Sequence, residues 1–487
     1  MRYLIGVDIG TSGTKTVLFD ENGNKIRSKT FEYPMYQPKN GWAEQNPEDW
    51  YNAVYETLKF VSDGIENEND KICGIGLSGQ MHGLVMLDKN GQVIRPSIIW
   101  CDQRTSKECE EITSLVGKER LIEITANPAL TGFTASKILW VRNNEPENYA
   151  KCAKILLPKD YIRYRLTGEF ATEVSDASGM QLLDVPNRCW SDEVLEKLNI
   201  DKNLLAPVYE SVEVTGKVTG IGILEGVPVV GGAGDNAAAA VGSGVVESGK
   251  AFTTIGTSGV VYAHTDNPVI DKGGRVHTFC CAVPDKWHVM GVTQGAGLSL
   301  KWFRANFAPE LSYKEVDALA ESVKIGAESL IYLPYLMGER TPHLDPNARG
   351  VFFGISAMHE KKHFLRAVME GVTYSLRDCL EVLKEMDIPL SDMVAVGGGG
   401  TSKLWREMLC GTFNLPVKTI EAGEGPALGV AILAGVGTGI YNSVEEACRK
   451  LIKFTQPHIP ENVEEYERYY QIFASIYPQL KNIYKTL

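Results

Sequence analysis

The sequence has no CxxC pair, no uninterrupted apolar run near the roughly 20 residues that cross a bilayer, and no excess of positive charge. Each absence removes a class of protein. Ten cysteines, of which only Cys280 and Cys281 are adjacent, offer no zinc-site spacing and read as reduced, mostly buried thiols. A formal net charge of −12 argues against a nucleic-acid surface, which needs clustered Lys and Arg. It leaves room for a nucleotide held by a few amides and a metal. The chain passes from Met1-Arg2 straight into a strand-like stretch ending at Asp8, so no leader is expected. Together these features predict a cytoplasmic protein without membrane or nucleic-acid partners. Glycine runs occur, but none has the Gly-Lys-Ser/Thr ending of a Walker loop or the spacing of a dinucleotide fingerprint.

What is present begins with a repeat. Ile9-Gly10-Thr11-Ser12-Gly13 recurs letter for letter as Ile255-Gly256-Thr257-Ser258-Gly259. Each copy lies between short apolar stretches (residues 3–7 and 16–19, then 251–254 and 260–263), which predicts a β-hairpin. A Gly/Ser/Thr turn is often only a turn, but its amides and hydroxyls can also cradle a phosphate. At 487 residues the chain should form two or three domains, and the repeat suggests two related ones, each offering a hairpin to a shared ligand. The flanks differ: Asp8 and Lys15 accompany the first copy, Thr254 and Val261 the second. One carboxylate beside a triphosphate suits Mg²⁺, which binds through one or two carboxylates and phosphate oxygens.

Other stretches follow in order. Residues 46–49 have the grammar of a helix start, with a capping Asn, then Pro, then acids. The charged run 66–70 reads as a solvated loop. A strand over 72–77 delivers Ser78-Gly79-Gln80-Met81-His82-Gly83, either a ligand loop or a tight hairpin returning through 84–87. Trp100-Cys101-Asp102-Gln103-Arg104 could line a polyol site or open a helix. A strand over 227–230 runs into Gly231-Gly232-Ala233-Gly234-Asp235-Asn236 and an Ala-rich helix. There Asp235 is either an N-cap or an acid placed to accept a proton from a substrate hydroxyl. Gln294 to Gly297 lead into a helix, residues 364–386 form a long one-sided helix, and a strand over 393–396 meets Gly397 to Gly400 before a helix beginning at Ser402. Glycine-rich turns, one acid for a metal and one for a hydroxyl indicate phosphoryl transfer from a nucleotide to an alcohol.

On Asp8 and its hairpin, Leu77 to Gly83, Leu156 to Tyr161, Gly231 to Ala237 and Gly338 to His343, the chain resembles the FGGY carbohydrate kinases over nearly its whole length. The resemblance implies an α/β fold of two actin/Hsp70/hexokinase-like (ribonuclease H-like) domains related by duplication, residues 1–245 and 246–487, with the active-site cleft between them. It implies ATP-dependent phosphorylation of D-xylulose, with Mg²⁺, and is compatible with a homodimer. By motif match, Asp235 would be the general base, and Gln80, Met81, His82 and Asn236 would border the sugar, with Asp102 and Arg104 as further cleft residues. Asp8 would sit beside the metal. Thr11, Ser12, Lys15, Gly256 and Thr257 would meet the phosphates, Gly297 the nucleotide cleft, and Gly398, Gly399 and Ser402 the adenosine. A relative acting on ribulose or glycerol is the alternative. A nucleotide-gated binding protein of the actin or Hsp70 type fits less well, because it needs neither Gln80-Met81-His82 nor Asp235-Asn236.

Overall fold

The structure, a computed structural model, describes residues 1–65, 71–421 and 423–487. The expected loop at 66–70 therefore lies outside the described residues.

In the first half, β1 (Arg2–Ile9), β2 (Gly13–Asp20) and β3 (Lys25–Glu32) form the antiparallel meander that the turn residues predict. Helix α1 (Pro47–Ser62) starts where the Asn46 side chain accepts the Glu48 amide, with Pro47 in the first turn. Its apolar face, including the fully buried Trp50, Val54 and Leu58, covers the sheet. β4 (Lys71–Gly79) then runs parallel to β1. Helix α2 (Pro158–Thr167) follows much later, then β5 (Val214–Lys217), β6 (Pro228–Val230), β7 (Ala233–Gly234) and α3 (Asp235–Gly242). The seven-stranded sheet has the order β5-β6-β4-β1-β2-β3, with β7 pairing on β4.

The second half repeats the scheme. β8 (Gly249–Ile255) and β9 (Gly259–Thr265) form the second hairpin; β10 (His277–Cys280) and β11 (Trp287–Thr293) complete the antiparallel part. Helices α4 (Ala296–Phe307) and α5 (Lys361–Glu385) precede β12 (Leu390–Val396), which is parallel to β8. α6 (Lys403–Phe413), β13 (Val417–Lys418), α7 (Pro426–Gly437) and α8 (Val463–Tyr484) close the chain. The six-stranded order is β10-β11-β9-β8-β12-β13. In both sheets an antiparallel part is followed by a parallel strand on its first member and then by a second parallel strand beside that one, although in the second half β10 lies outside β11 instead of between β9 and β11. That is the duplication the pentapeptide announced.

Two expectations need correction. Residues 85–87 are not the return arm of a hairpin, because Val85–Leu87 pairs with the distant Lys154–Leu156 rather than with β4. The loop after β4 is thus free of a hairpin's constraint. The identical pentapeptides also turn differently. Ile9 pairs with Thr14, whereas Ile255 pairs with Gly259, so the first loop is one residue longer. Lys15 consequently faces Asp8 across the ladder, and the register counterpart opposite Thr254 is Val260 rather than Val261.

The halves meet through α3 and α7. Helix α7 crosses back onto the first sheet, where a Cβ on Gly6 or Gly76 would lie 1.8 Å from the Ala427 carbonyl oxygen or 1.9 Å from that of Val430. Only glycine permits backbone to approach backbone so closely. Among the described residues no helix is long and apolar enough to cross a membrane.

Candidate active site

Between the turn of the second hairpin and residues of the first half, a cavity of about 290 Å³ opens. Met81, His82, Trp100, Phe133, Asp235 and Asn236 line one side; Thr254, Gly256, Thr257, Ser258 and Arg340 line the other.

Asp235 occupies the first turn of α3, but it is not the cap. Gly234 fills that position, and the Asp235 carboxylate instead accepts the backbone N–H of Asn236 at 2.7 Å and its side-chain amide at 2.9 Å. Burial, then the charge of Asp8, push the Asp235 carboxyl up to about 7. A carboxylate poised near neutrality suits a general base. Asp8, at the end of β1, accepts the Ser78 hydroxyl at 3.0 Å and is itself raised by burial, against the opposing pull of Ser78 and Lys15.

The loop before Asp235 is held from beneath. A Cβ on Gly232, whose φ is +70°, would lie 2.0 Å from the Leu77 carbonyl oxygen, so only glycine fits. The Gly234 amide donates to the Ser175 hydroxyl (3.1 Å), which donates to Glu173 (2.9 Å). Glu173 in turn pairs with the ammonium of Lys159 at 3.2 Å. Lys159 also meets Asp160 (2.9 Å) and Asp176 (3.0 Å), Arg163 meets Asp160 and the Gly231 carbonyl, and all five ionisable side chains are fully buried. Burial and the neighbouring carboxylates raise Asp176 far above the usual carboxylate range. With Asp176 protonated, two cations balance two anions, which is how such a cluster can be sealed from water.

His82 has φ +69°, and its Nδ1–H donates to the Gly179 carbonyl at 3.0 Å. Its own carbonyl accepts Lys137 at 2.8 Å and Thr134 at 3.1 Å. Burial and the Lys137 charge lower the imidazole to about 3, so it is neutral, with Nε2 left as an acceptor. A Cβ on Gly179 would lie 2.2 Å from the ring, so this carbonyl can come close only from a glycine.

Three sequence candidates are brought to other places. Gln80 is 1% exposed and donates to Gln45 at 2.7 Å, so it braces the first hairpin rather than lining the cavity. Asp102 and Arg104 are sealed together: the guanidinium pairs with Asp102 at 2.7 Å and Glu44 at 2.8 Å, and stacks on Trp42 at 3.6 Å. They support the segment that presents Trp100, whose indole N–H donates to Thr11 at 2.9 Å. The polar signature was real, but its charges face inward.

On the nucleotide side, Gly256 and Thr257 are exposed at the second turn. The Gly297 amide, at the start of α4, donates to the Gly256 carbonyl at 2.7 Å, and a Cβ there would lie 2.4 Å from that oxygen. Gly397 to Gly400 form a short helical turn against Ile255. Gly398 is exposed, with nothing closer than 4.0 Å to an added Cβ, whereas one on Gly399 would meet Ile255 at 2.5 Å. Ser402 caps α6 by accepting the Trp405 amide. Lys15, with Thr11 and the exposed Ser12 on the first hairpin, pairs with Glu424 from the second half, as does Lys25. The residues that sequence reasoning passed over are Phe133, whose apolar type carries no signal, and Arg340.

Residues 3–242 match the N-terminal domain of the FGGY family of carbohydrate kinases, and residues 251–438 match its C-terminal domain. Xylulose kinase from Bacillus subtilis is 41% identical over 496 residues, covering 100% of this chain and 99% of that protein. Gluconokinase from the same organism is 32% identical, covering 100% and 97%. The crystal structure of a "xyloylose kinase" from Brucella ovis superposes with a TM-score of 0.93 at 35% identity, covering 99% of this chain and 100% of that one. With both halves matched in order and both sheets built on one plan, the chain belongs to the FGGY family of carbohydrate kinases.

Proposed function

We propose that this kinase transfers the γ-phosphoryl group of ATP to the 5-hydroxyl of D-xylulose, with Asp235 as general base. The observation that carries the reading is that Asp235, the Met81–His82 loop and the second Gly-Thr-Ser turn border one cavity. Full-length similarity to proteins named xylulose kinase supports the choice of sugar. On this reading the sugar-binding and nucleotide-binding domains would meet near Val245, between α3 and β8.

The sugar would lie against Met81, His82 and Asn236. Neutral His82 can accept a sugar hydroxyl through Nε2. As the sugar oxygen attacks phosphorus, its proton passes to Asp235, and the bond to the β-phosphate oxygen breaks. Thr11, Ser12, Gly256 and Thr257 would hold phosphate oxygens, and Gly398 would lie under the adenosine. Among the described residues no three His, Cys, Asp or Glu side chains could hold a metal together. The Asp8 carboxylate, with one oxygen on Ser78, nevertheless fits a Mg²⁺ that phosphate oxygens and water would otherwise hold, and Asp8 would be its protein contact. Bound there, the ion would neutralise phosphate charge.

The test is coupled ADP release over D-xylulose, D-ribulose, glycerol and D-gluconate. The highest kcat/KM is expected with D-xylulose. A higher value with another acceptor would reassign the sugar, and no ADP release with any of them would overturn the kinase reading.

A further inference from the structure

The Gly338-Glu339-Arg340-Thr341-Pro342-His343 segment contributes a charged side chain that the reaction as described leaves unused. Arg340 lines the cavity that contains Asp235, yet among the described residues its guanidinium takes part in no hydrogen bond or ion pair. The other charged groups nearby are accounted for. Lys15 is paired with Glu424, Lys137 is buried behind the His82 carbonyl, and His82 and His277 are neutral. Among the described residues Arg340 is therefore the one cation lining the cavity, which the Asp235 carboxylate also lines. Its charge is felt by His82 and His277, which places it at depth, and burial pulls its own pKa down.

The backbone beneath it is fixed. Glu339 accepts the amides of Gln294 (2.9 Å) and Arg340 (2.7 Å) and the hydroxyls of Thr293 (2.6 Å) and Ser375 (3.2 Å). The Thr341 amide donates to the Val292 carbonyl at 2.9 Å, and the Thr341 hydroxyl accepts the Val292 amide at 3.1 Å. Arg340 is thus bolted to the end of β11, beside the second phosphate-type turn. Arg340 is half-buried, and a cation held rigidly in a cavity wall without an anion is costly unless a ligand supplies one. A neutral sugar does not supply that counter-charge. Anionic phosphoryl oxygens do, and a guanidinium matches them in bidentate geometry.

We propose that Arg340 is a further catalytic residue that contacts the phosphoryl group in transit and, after transfer, the phosphate of the sugar phosphate. The inference rests on the reading of this cleft as a sugar-kinase site. Arg340 stays protonated throughout. The new P–O bond forms to the sugar oxygen, the old one leaves with ADP, the proton goes to Asp235, and the guanidinium holds the non-bridging oxygens that carry the charge.

The experiment compares the full-length protein with R340Q and R340K. Steady-state kinetics are combined with the affinity for ADP alone and for ADP plus aluminium fluoride, a mimic of the transferring phosphoryl group. R340Q is expected to lose ~10²-fold or more in kcat, with ADP affinity and melting temperature kept and the aluminium fluoride complex weakened in parallel. R340K should recover part of both. Turnover within a few-fold of wild type, or a raised KM for sugar at unchanged kcat, would overturn the proposal; the second result would put Arg340 on the sugar instead. If R340Q is unfolded, R340K decides by the same readouts. A wild-type protein inactive on D-xylulose would overturn the substrate reading alone, because the ADP–fluoride comparison still reports on Arg340.

Discussion

Asp8 and Asp235, which come from opposite ends of the first domain, are near enough for the charge of Asp8 to raise the carboxyl of Asp235. Ionising Asp235 thus costs more when Asp8 is charged. For catalysis the base must be unprotonated, so kcat/KM in the free enzyme should rise with pH through about 7. Asp8→Asn removes the repulsion and should move that limb to lower pH, alongside a loss of rate. A limb that stays in place would detach it from this pair.

Asp235→Asn should lower turnover by ~10²-fold or more while nucleotide still binds, the usual size of a general-base effect. The same change should stabilise the fold. A carboxyl whose folded-state pKa is raised contributes stability below its unfolded value near 3.8, and that contribution is lost as pH rises toward about 7. At pH 8 the variant should therefore melt higher than wild type, with the gap closing toward pH 4. Calorimetry at several pH values checks the sign.

The buried cluster under the Asp235 loop gives an asymmetric pair of variants. Lys159→Met leaves Asp160 and Glu173 without their shared cation in a dry site, which should cost roughly 3–5 kcal/mol. Asp176→Asn replaces a side chain already held protonated and should cost far less. Equal losses in denaturant melts of the two variants would mean that Asp176 is ionised after all.

His82→Ala should raise the KM for sugar by ~10-fold or more with the KM for ATP little changed, because a buried acceptor that pairs with a hydroxyl discriminates strongly. Since the imidazole is already neutral, with its pKa lowered to about 3, the sugar KM should show no titration near the ordinary histidine value. A KM that does titrate near pH 6.5 would contradict the buried, neutral placement.

What was legible in the sequence is what local chemistry dictates. Asn46-Pro47 sets the start of α1, the glycines of the two pentapeptides set the turns, and Gly231 to Asp235 set the strand-to-helix corner. Missed features depend on partners far along the chain. Nothing near Val85–Leu87 says that its neighbour is Lys154–Leu156. The glycine that ends each turn lies against a neighbouring strand, Gly13 beside Glu32 of β3 and Gly259 beside Thr293 of β11, so the pentapeptide alone does not show that the first turn is one residue longer. Asp102 and Arg104 read as cleft residues because charges are usually exposed, and it is Glu44, Trp42 and Trp140 that turn them inward. Arg340 could not be singled out from sequence, because the lack of a partner for its guanidinium among the described residues is visible only in the fold.

The crossing of α3 and α7 sets apart glycines that serve packing from glycines that leave space for a ligand. A Cβ on Gly429 would stand 2.0 Å from the Ala238 carbonyl oxygen, and one on Gly242 2.1 Å from that of Gly425. Neither neighbour is a flexible side chain, so the helices would have to separate. Gly429→Ala should therefore destabilise by about 1–3 kcal/mol or more, and a domain-sized unit loses roughly 2–4 °C in melting temperature per kcal/mol. Gly398→Ala is the counterpart. Its φ is not in the left-handed region, the added methyl comes no closer than 4.0 Å to any neighbour, and the site faces solvent. It should melt with the wild type yet weaken ATP binding, because the methyl occupies the space proposed for the adenosine. Unchanged ATP affinity in Gly398→Ala, measured by calorimetric titration on folded protein, would move the adenosine away from this turn without touching the assignment of the catalytic acids.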